Sequence, residues 1–527
     1  MSANALVLAM LVFAPLIFGG NRPLPLLVLE LIAILLLLGL VARPMFLKQL
    51  SWPFIGLLVL MVLLPLLQLV PLPFSIWQQF PAQQDYAQAL ELALSHGGVS
   101  LENTTRAFSL VPAETEYALL ALLPPLAIFL VCVGMTTHQL RALVPVFLAM
   151  ATLQALIALA EYGIGRSANG TYVNRDHLAG FLEMALPVSL AMLAASFGQT
   201  SLRQGYHRSL RNRIRSFLYQ YCNRTAIYAF ISLSILLGLI FTQSRSGVAL
   251  AMFVIVLSAL AFSMRLGGRN VYGMVGTYSA VGLSLAVLIG LVPVLDRFVL
   301  TDHLQDARWS IYATMLRAIN DFLPFGSGVG SFREVFARYH PEDITGVIVN
   351  RAHNDYLEWI MEGGAIAAFI IVGLLAIYAL RWRKLLQGHA WGTFHFIQVG
   401  AGIGILAILL HSLVDFNLRI PANQIYFAFL AALFFHQAQE SAEEREAEAP
   451  TLAQAYKQRN VELVPAPPVK AQEANAEQAG VSAPSHHQPL PAGLTAQGAS
   501  RDDTLGKAPQ VQPTYPIKPG PNPFEDQ

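Results

Sequence analysis

Long uncharged apolar runs recur through the first 437 residues, and they constrain the fold more than any other feature of the chain. Each is roughly 17–25 residues long, the length at which a helix crosses the hydrocarbon core of a bilayer. Twelve are readable, at roughly 3–20, 24–42, 52–75, 115–135, 142–163, 178–197, 225–241, 247–264, 274–294, 365–381, 392–411 and 423–437. They are continuously apolar instead of alternating, which argues for helices and against a closed strand barrel. Only 12% of the residues are charged, against about 25% in soluble chains. Many of the acidic groups also sit in the tail after Ser441. A large soluble protein with buried helices is the alternative, but it rarely needs so many long uncharged runs. The expected fold is an all-α polytopic membrane protein with about 12 transmembrane helices.

Basic residues orient the spans. With the N-terminus in the cytoplasm, the inner segments include 43–51, 198–224, 265–273 and 382–391. The second holds Arg203, Arg208, Arg211, Arg213, Arg215 and Arg224, and all six lysines of the chain also fall inside. This agrees with the excess of Lys and Arg on cytoplasmic loops. The first run lacks a basic leader and is followed closely by another, so it reads as an uncleaved span. Cys132 and Cys222 form neither a disulfide framework nor a thiolate metal site.

Two long segments face outward in this arrangement, 76–114 and 295–364. The first reads as a short surface helix and a cover. In the second, RWSIYATMLRAINDF at 308–322 has the spacing of an amphipathic helix. LPFGSGVGSF at 323–332 breaks it with Pro324 and its glycines. No Walker lysine or dinucleotide spacing follows those glycines, and no nucleic-acid partner is expected. The chain therefore divides into a transmembrane domain at 1–437, with the large loop at 295–364, and a tail at 438–527. The tail is rich in Pro, Gln, Ala and Gly and is expected to be a disordered cytoplasmic extension.

Polar clusters interrupt this apolar pattern on the outer face. They are GTYVNRDHLAG at 170–180, QSRSG at 243–247, the loop start with Asp306 and Arg308, and RAHNDYLEWIMEGG at 351–364. HSLVDFNLRIPAN at 411–423 is a further one. Charges in or beside a bilayer core are costly and tend to line a cavity or pathway. Bland readings stand beside this one. Arg175, Arg308 and Arg419 have stems long enough to snorkel to the interface. Asn174 and Asn354 suit helix caps. Asp355 and Glu358 suit a helix start or a nearby arginine. Glu183, inside the sixth span, is a stronger anomaly than any surface acid.

Taken together, the clusters point to a polyanionic ligand. Several arginines around a phosphate give multidentate charge-assisted hydrogen bonds. A histidine beside them suits proton removal from an alcohol near neutral pH. Arginines also stabilise the charge that develops on a departing diphosphate. The combination fits glycosyl transfer from a lipid diphosphate sugar. His177, His353, Asp355 and Asp415 lack the compact spacing of metal ligands, so neither a metal nor a cofactor is expected.

These motifs resemble the O-antigen ligase and O-antigen polymerase superfamily, with its shared Wzy-type C-terminal region. The carrying stretches are GTYVNRDHLAG, QSRSGV at 243–248, ARWSIY at 307–312 and NRAHNDYLEWIMEGG at 350–364, supported by HSLVDFNLRIPAN. The resemblance covers most of 1–437 and leaves out the tail. It implies a GT-C-like glycosyltransferase of the bacterial inner membrane, metal-independent and inverting, with a periplasmic active site. The donor it implies is an undecaprenyl-diphosphate-linked glycan. The acceptor is lipid A–core, a lipid-linked repeat unit or a protein hydroxyl. By resemblance, His353 activates the acceptor hydroxyl, and Arg245 and Arg308 bind the donor diphosphate. Arg175, Asn174, Arg351, Asn354, Asp355 and Arg419 are the accompanying substrate-binding candidates. An exopolysaccharide polymerase or protein O-oligosaccharyltransferase stays open within this class. A lipid-linked glycan transporter or flippase is the reading from another class. Internal repeats would favour a transporter, and none is evident.

Overall fold

Helices make up most of the described chain. The computed structural model describes residues 2–42, 44, 48–95, 101, 104–200, 224–266, 303–344, 346, 348–387 and 391–437. The span expected at 274–294, most of the basic segment 198–224 and the expected disordered tail at 438–527 lie outside those residues. In chain order the helices are α1 (Ala3–Leu16), α2 (Pro23–Ala42), α3 (Trp52–Gln68), α4 (Phe74–Trp77), α5 (Pro81–Ser95), α6 (Pro112–Ala121), α7 (Leu123–Val133) and α8 (Thr137–Gly163). They continue with α9 (Arg175–Thr200), α10 (Arg224–Phe241), α11 (Arg245–Leu266), α12 (His303–Phe322), α13 (Phe332–Phe336), α14 (Asp355–Leu386), α15 (Thr393–His411) and α16 (Pro421–Phe435).

Among the described residues eight helical passages are long and apolar enough to cross a membrane, with α6 and α7 running on as one. Three shorter apolar helices, α1, α3 and α16, accompany them. The protein is thus a multi-pass, helical membrane protein. The run expected at 52–75 ends as helix at Gln68. Pro71 and Pro73 then bracket a short strand, β1 (Pro71–Pro73), which pairs antiparallel with β2 (Thr105–Ala107). β2 and α5 lie within the 76–114 segment read from sequence as a surface helix and cover.

Local chemistry sets the helix starts. Thr136 and Gln139 form a reciprocal capping box at the start of α8. Asn174 accepts from the Asp176 amide at 2.9 Å at the start of α9. Asn354 accepts from the amides of Tyr356 and Leu357 at the start of α14. Pro421 opens α16 at a position where no backbone N–H is missed.

The interior is built around α9, the most buried of the long helices. Its neighbour α15 approaches it through glycines. A Cβ on Gly400 would lie 2.7 Å from the Pro187 carbonyl oxygen, and one on Gly404 would lie 2.6 Å from that of Met184. Small residues allow such contact where lipid removes the hydrophobic drive to associate.

A break in α14 couples the bundle to the glycine-rich loop at 323–332. Gly364 adopts φ 61° and ψ −146° inside the helix, a conformation favoured by glycine. The break leaves helix carbonyls to be satisfied. The glycine-rich loop supplies donors: Ser327 N–H to the Met361 carbonyl at 3.0 Å and Gly328 N–H to that of Glu362 at 3.0 Å. Ala365 N–H in turn donates to the Pro324 carbonyl at 2.8 Å. Gln68, buried at the end of α3, donates to the Glu362 carbonyl and accepts from the Val329 amide. The loop and the Glu362-Gly363-Gly364 break are one hydrogen-bonded unit.

Candidate active site

The 411–423 turn is the hub on which the other polar clusters converge. Asp415, almost fully buried, accepts from His353 Nδ1 at 3.2 Å. Phe416 meets the His353 ring at 5.1 Å and the His177 ring at 4.7 Å. His411 Nε2 lies 2.8 Å from Ser246 Oγ. Asn423 donates to the His177 carbonyl at 3.0 Å. The stretches around residues 177, 246, 353 and 411–423, distant in sequence, therefore meet at one place.

The loop helix α12 joins them through Tyr312. Its hydroxyl donates to the His353 carbonyl at 2.6 Å. Tyr312 stands one turn beyond Arg308, and residues four apart share a helix face. Burial pushes the Tyr312 phenol up to about 12, with Arg308 opposing and Asp415 adding to the shift. It therefore remains a donor across physiological pH.

His353 is held in an unusual backbone conformation, φ 51°. Non-glycine residues with positive φ cost free energy and persist where their surroundings over-determine them. Here the restraints are Tyr312 on the carbonyl, Asp415 on the ring, and the Asn354 cap one residue on. Asn354 Nδ2 also donates to the Leu413 carbonyl at 2.9 Å. The His353–Asp415 contact fixes the tautomer. Burial alone would raise the Asp415 carboxyl. The His353 hydrogen bond and the charges of His177, His353 and His411 outweigh that and hold it below the ordinary carboxylate range. An ionised Asp415 accepts, so Nδ1 carries the proton and Nε2 holds the lone pair in the neutral ring.

The sequence-expected site residues divide into two groups. Arg308 and Arg175 are half-buried, and neither has a carboxylate partner among the described residues. Arg245, also half-buried, opens α11 immediately after the 242–244 turn. Arg351 and Arg419 are engaged with acids. Arg351 meets Glu358 at 2.9 Å, and Arg419 meets Glu362 at 2.6 Å. Arg419 Nε also lies 3.3 Å from Glu358 without the alignment of a hydrogen bond. Burial lowers Arg419, but Glu362, Glu358 and Asp355 raise it further, for a net upward shift. Arg419, Glu358 and Glu362 form a buried ion cluster that the half-buried Arg351 joins at its edge. Drawing Arg419 onto a phosphate would leave the buried Glu362 carboxylate uncompensated, which costs about 3–5 kcal/mol. Asn174, Asn354 and Asp355 also make structural contacts, the two asparagines as caps and Asp355 by accepting from the Leu418 amide at 3.0 Å.

Asp415, Tyr312 and Ser246 were missing from the sequence-based site. Asp415 lies in a stretch that sequence had singled out, but its pairing with His353 spans 62 residues. Tyr312 sits inside the ARWSIY motif, where its helical offset from Arg308 was the available signal. Among the described residues no group of three or more His, Cys, Asp or Glu side chains is arranged to hold a metal ion.

Fold and site together define a polytopic helical membrane protein whose arginine-, histidine- and carboxylate-bearing loops are tied together around one turn. Residues 229–372 match the O-antigen ligase family model. That segment contains Arg245, Arg308 and His353. The match supports a glycosyltransferase function in glycan transfer. No curated protein matches the chain.

Proposed function

We propose that the protein transfers a glycan from a polyprenyl-diphosphate donor to an acceptor hydroxyl at the periplasmic face of the bacterial inner membrane, as an O-antigen ligase or polymerase does. The observation that carries the reading is the His353–Asp415 pair, formed by a histidine of the matched family segment and linked by Tyr312 to the helix of Arg308. In this reading about 12 spans of a GT-C-like fold surround the site, with the N-terminus and the 438–527 tail in the cytoplasm.

The reaction is a direct displacement with inversion. The acceptor hydroxyl attacks the anomeric carbon opposite the diphosphate. His353 Nε2 takes the hydroxyl proton while Asp415 stabilises the imidazolium that forms. Arg245 and Arg308 hold the diphosphate as the glycosidic C–O bond breaks and its charge grows. The electron pair of that bond leaves with the oxygen, releasing polyprenyl diphosphate. Arg175 is a further cation for the diphosphate. Arg351, Arg419, Asn174, Asn354 and Asp355 shape the substrate-facing walls from their ion pairs and caps. Undecaprenyl diphosphate is the proposed lipid carrier, and no metal or cofactor is needed, because diphosphate is already a good leaving group.

Reconstitution with one defined undecaprenyl-diphosphate-linked glycan and separate acceptors tests the reading. Lipid A–core, a second lipid-linked repeat unit and a protein hydroxyl are offered in parallel. Product on the first identifies a ligase, on the second a polymerase, and on the third a protein glycosyltransferase. Movement of the donor across the membrane without any glycosidic product would contradict the proposal and favour a transporter.

A further inference from the structure

A second acid–histidine pair lies in the site region and takes no part in the chemistry above. Glu183, fully buried, is eight residues into α9, about 12 Å along the helix from its start. His411, also fully buried, places Nδ1 3.1 Å from the Glu183 carboxylate. Its Nε2 lies 2.8 Å from Ser246 Oγ. The chain Glu183–His411–Ser246 therefore ends one residue beyond Arg245.

The turn that it reaches is strained. Gln243 has φ 54°, the second positive-φ non-glycine position in this site besides His353. Such positions need support from their surroundings. Ser244 supplies part of it by accepting from the Gly247 amide at 3.2 Å, while its own amide donates to Thr242 Oγ1. The Ser246 hydroxyl lies 3.4 Å from Ser244 Oγ and 2.8 Å from His411 Nε2, so it ties the capped turn to the histidine. A histidine satisfied on both ring nitrogens is also what ordinary interior packing produces. Two facts go beyond that. A buried ion-capable pair is weak support for stability, because apolar side chains of similar volume often serve as well. And the same five-residue turn that carries His411 carries Asp415, the partner of His353.

We propose that Glu183 and His411 are positioning residues for Arg245, acting through Ser246, so that one turn at 411–415 sets both halves of the site. His411 aligns the diphosphate-binding arginine, and Asp415 aligns the base. This rests on the proposed transfer from a lipid diphosphate. A displacement of about 1 Å in such a group costs on the order of 100-fold, so the effect is measurable.

The full-length protein in nanodiscs is tested with undecaprenyl diphosphate lacking a glycan, by direct binding, and with the glycan-bearing donor, by steady-state kinetics. Glu183→Gln, His411→Gln and Ser246→Ala are expected to weaken lipid diphosphate binding and raise donor KM by at least about tenfold, with acceptor KM unchanged. Ser246→Thr, which keeps the hydroxyl, is expected to restore both. Ser246→Ala removes a single oxygen and guards against misfolding of the charged-site variants. Donor binding equal to wild type in Ser246→Ala and Glu183→Gln would overturn the proposal. So would a parallel loss of donor and acceptor affinity with a lowered unfolding temperature, the signature of a purely structural pair. Failure of the wild-type protein to bind undecaprenyl diphosphate would instead strike at the transfer reading itself.

Discussion

At the residue scale, His353 and Asp415 have separable jobs. Asp415 is held below the ordinary carboxylate range, so it is ionised above the unperturbed aspartate value of about 3.9. Its contribution to holding His353 is present above that value and is lost only as the pH falls below it. An acid loss of transfer above about pH 4 therefore belongs to another group. Asp415→Asn should lower maximal transfer yet keep an acid limb in the pH–rate profile; disappearance of that limb would assign it to Asp415. Arg419 has a different job. Arg419→Ala would leave Glu358 and Glu362 short of their buried partner, and the expected cost is about 3–5 kcal/mol of stability. Thermal unfolding in detergent reads this directly. A variant of normal stability with selectively weakened donor binding would return Arg419 to the diphosphate. The candidate residues were legible as polar anomalies in apolar surroundings. The engagement of Arg351 and Arg419 with acids was not, because Arg419 finds Glu362 across 57 residues and no periodicity encodes that distance.

At the element scale, sequence pattern located the helices because length and continuous apolarity are local properties. The amphipathic spacing read at 308–322 is realised in α12, His303–Phe322. The β1–β2 ribbon escaped because its strands are three residues each and rich in proline or turn-adjacent. The end of the 351–364 stretch also changed meaning. Its two terminal glycines read as loop, yet Gly364 breaks a helix and receives the glycine-rich loop against it. A Cβ there would run into the Pro324 carbonyl. Gly364→Ala combines that clash with an unfavourable φ and is expected to destabilise by about 1–3 kcal/mol. Equal unfolding temperatures for variant and wild type would show that the break tolerates a side chain.

At the scale of the whole molecule, one turn near the end of the described chain organises loops from four other regions. In sequence the 411–423 stretch is only a further polar cluster, and its partners lie as far away as Glu183, 228 residues from His411. Hydropathy revealed the spans, but only tertiary contact reveals that hub. The proposed orientation also belongs to this scale. A reporter fused after Gln437 should be active only in the cytoplasm, and removal of 438–527 should leave transfer intact; periplasmic reporter activity would invert the arrangement. The central claim is that His353 takes the acceptor proton in transfer from a lipid diphosphate. The most direct measurement is the transfer rate of His353→Ala, correctly inserted and reconstituted with the defined donor and its acceptor. Loss of a general base predicts a fall of about 100- to 10,000-fold with donor binding preserved, whereas product formation at the wild-type rate would contradict the account.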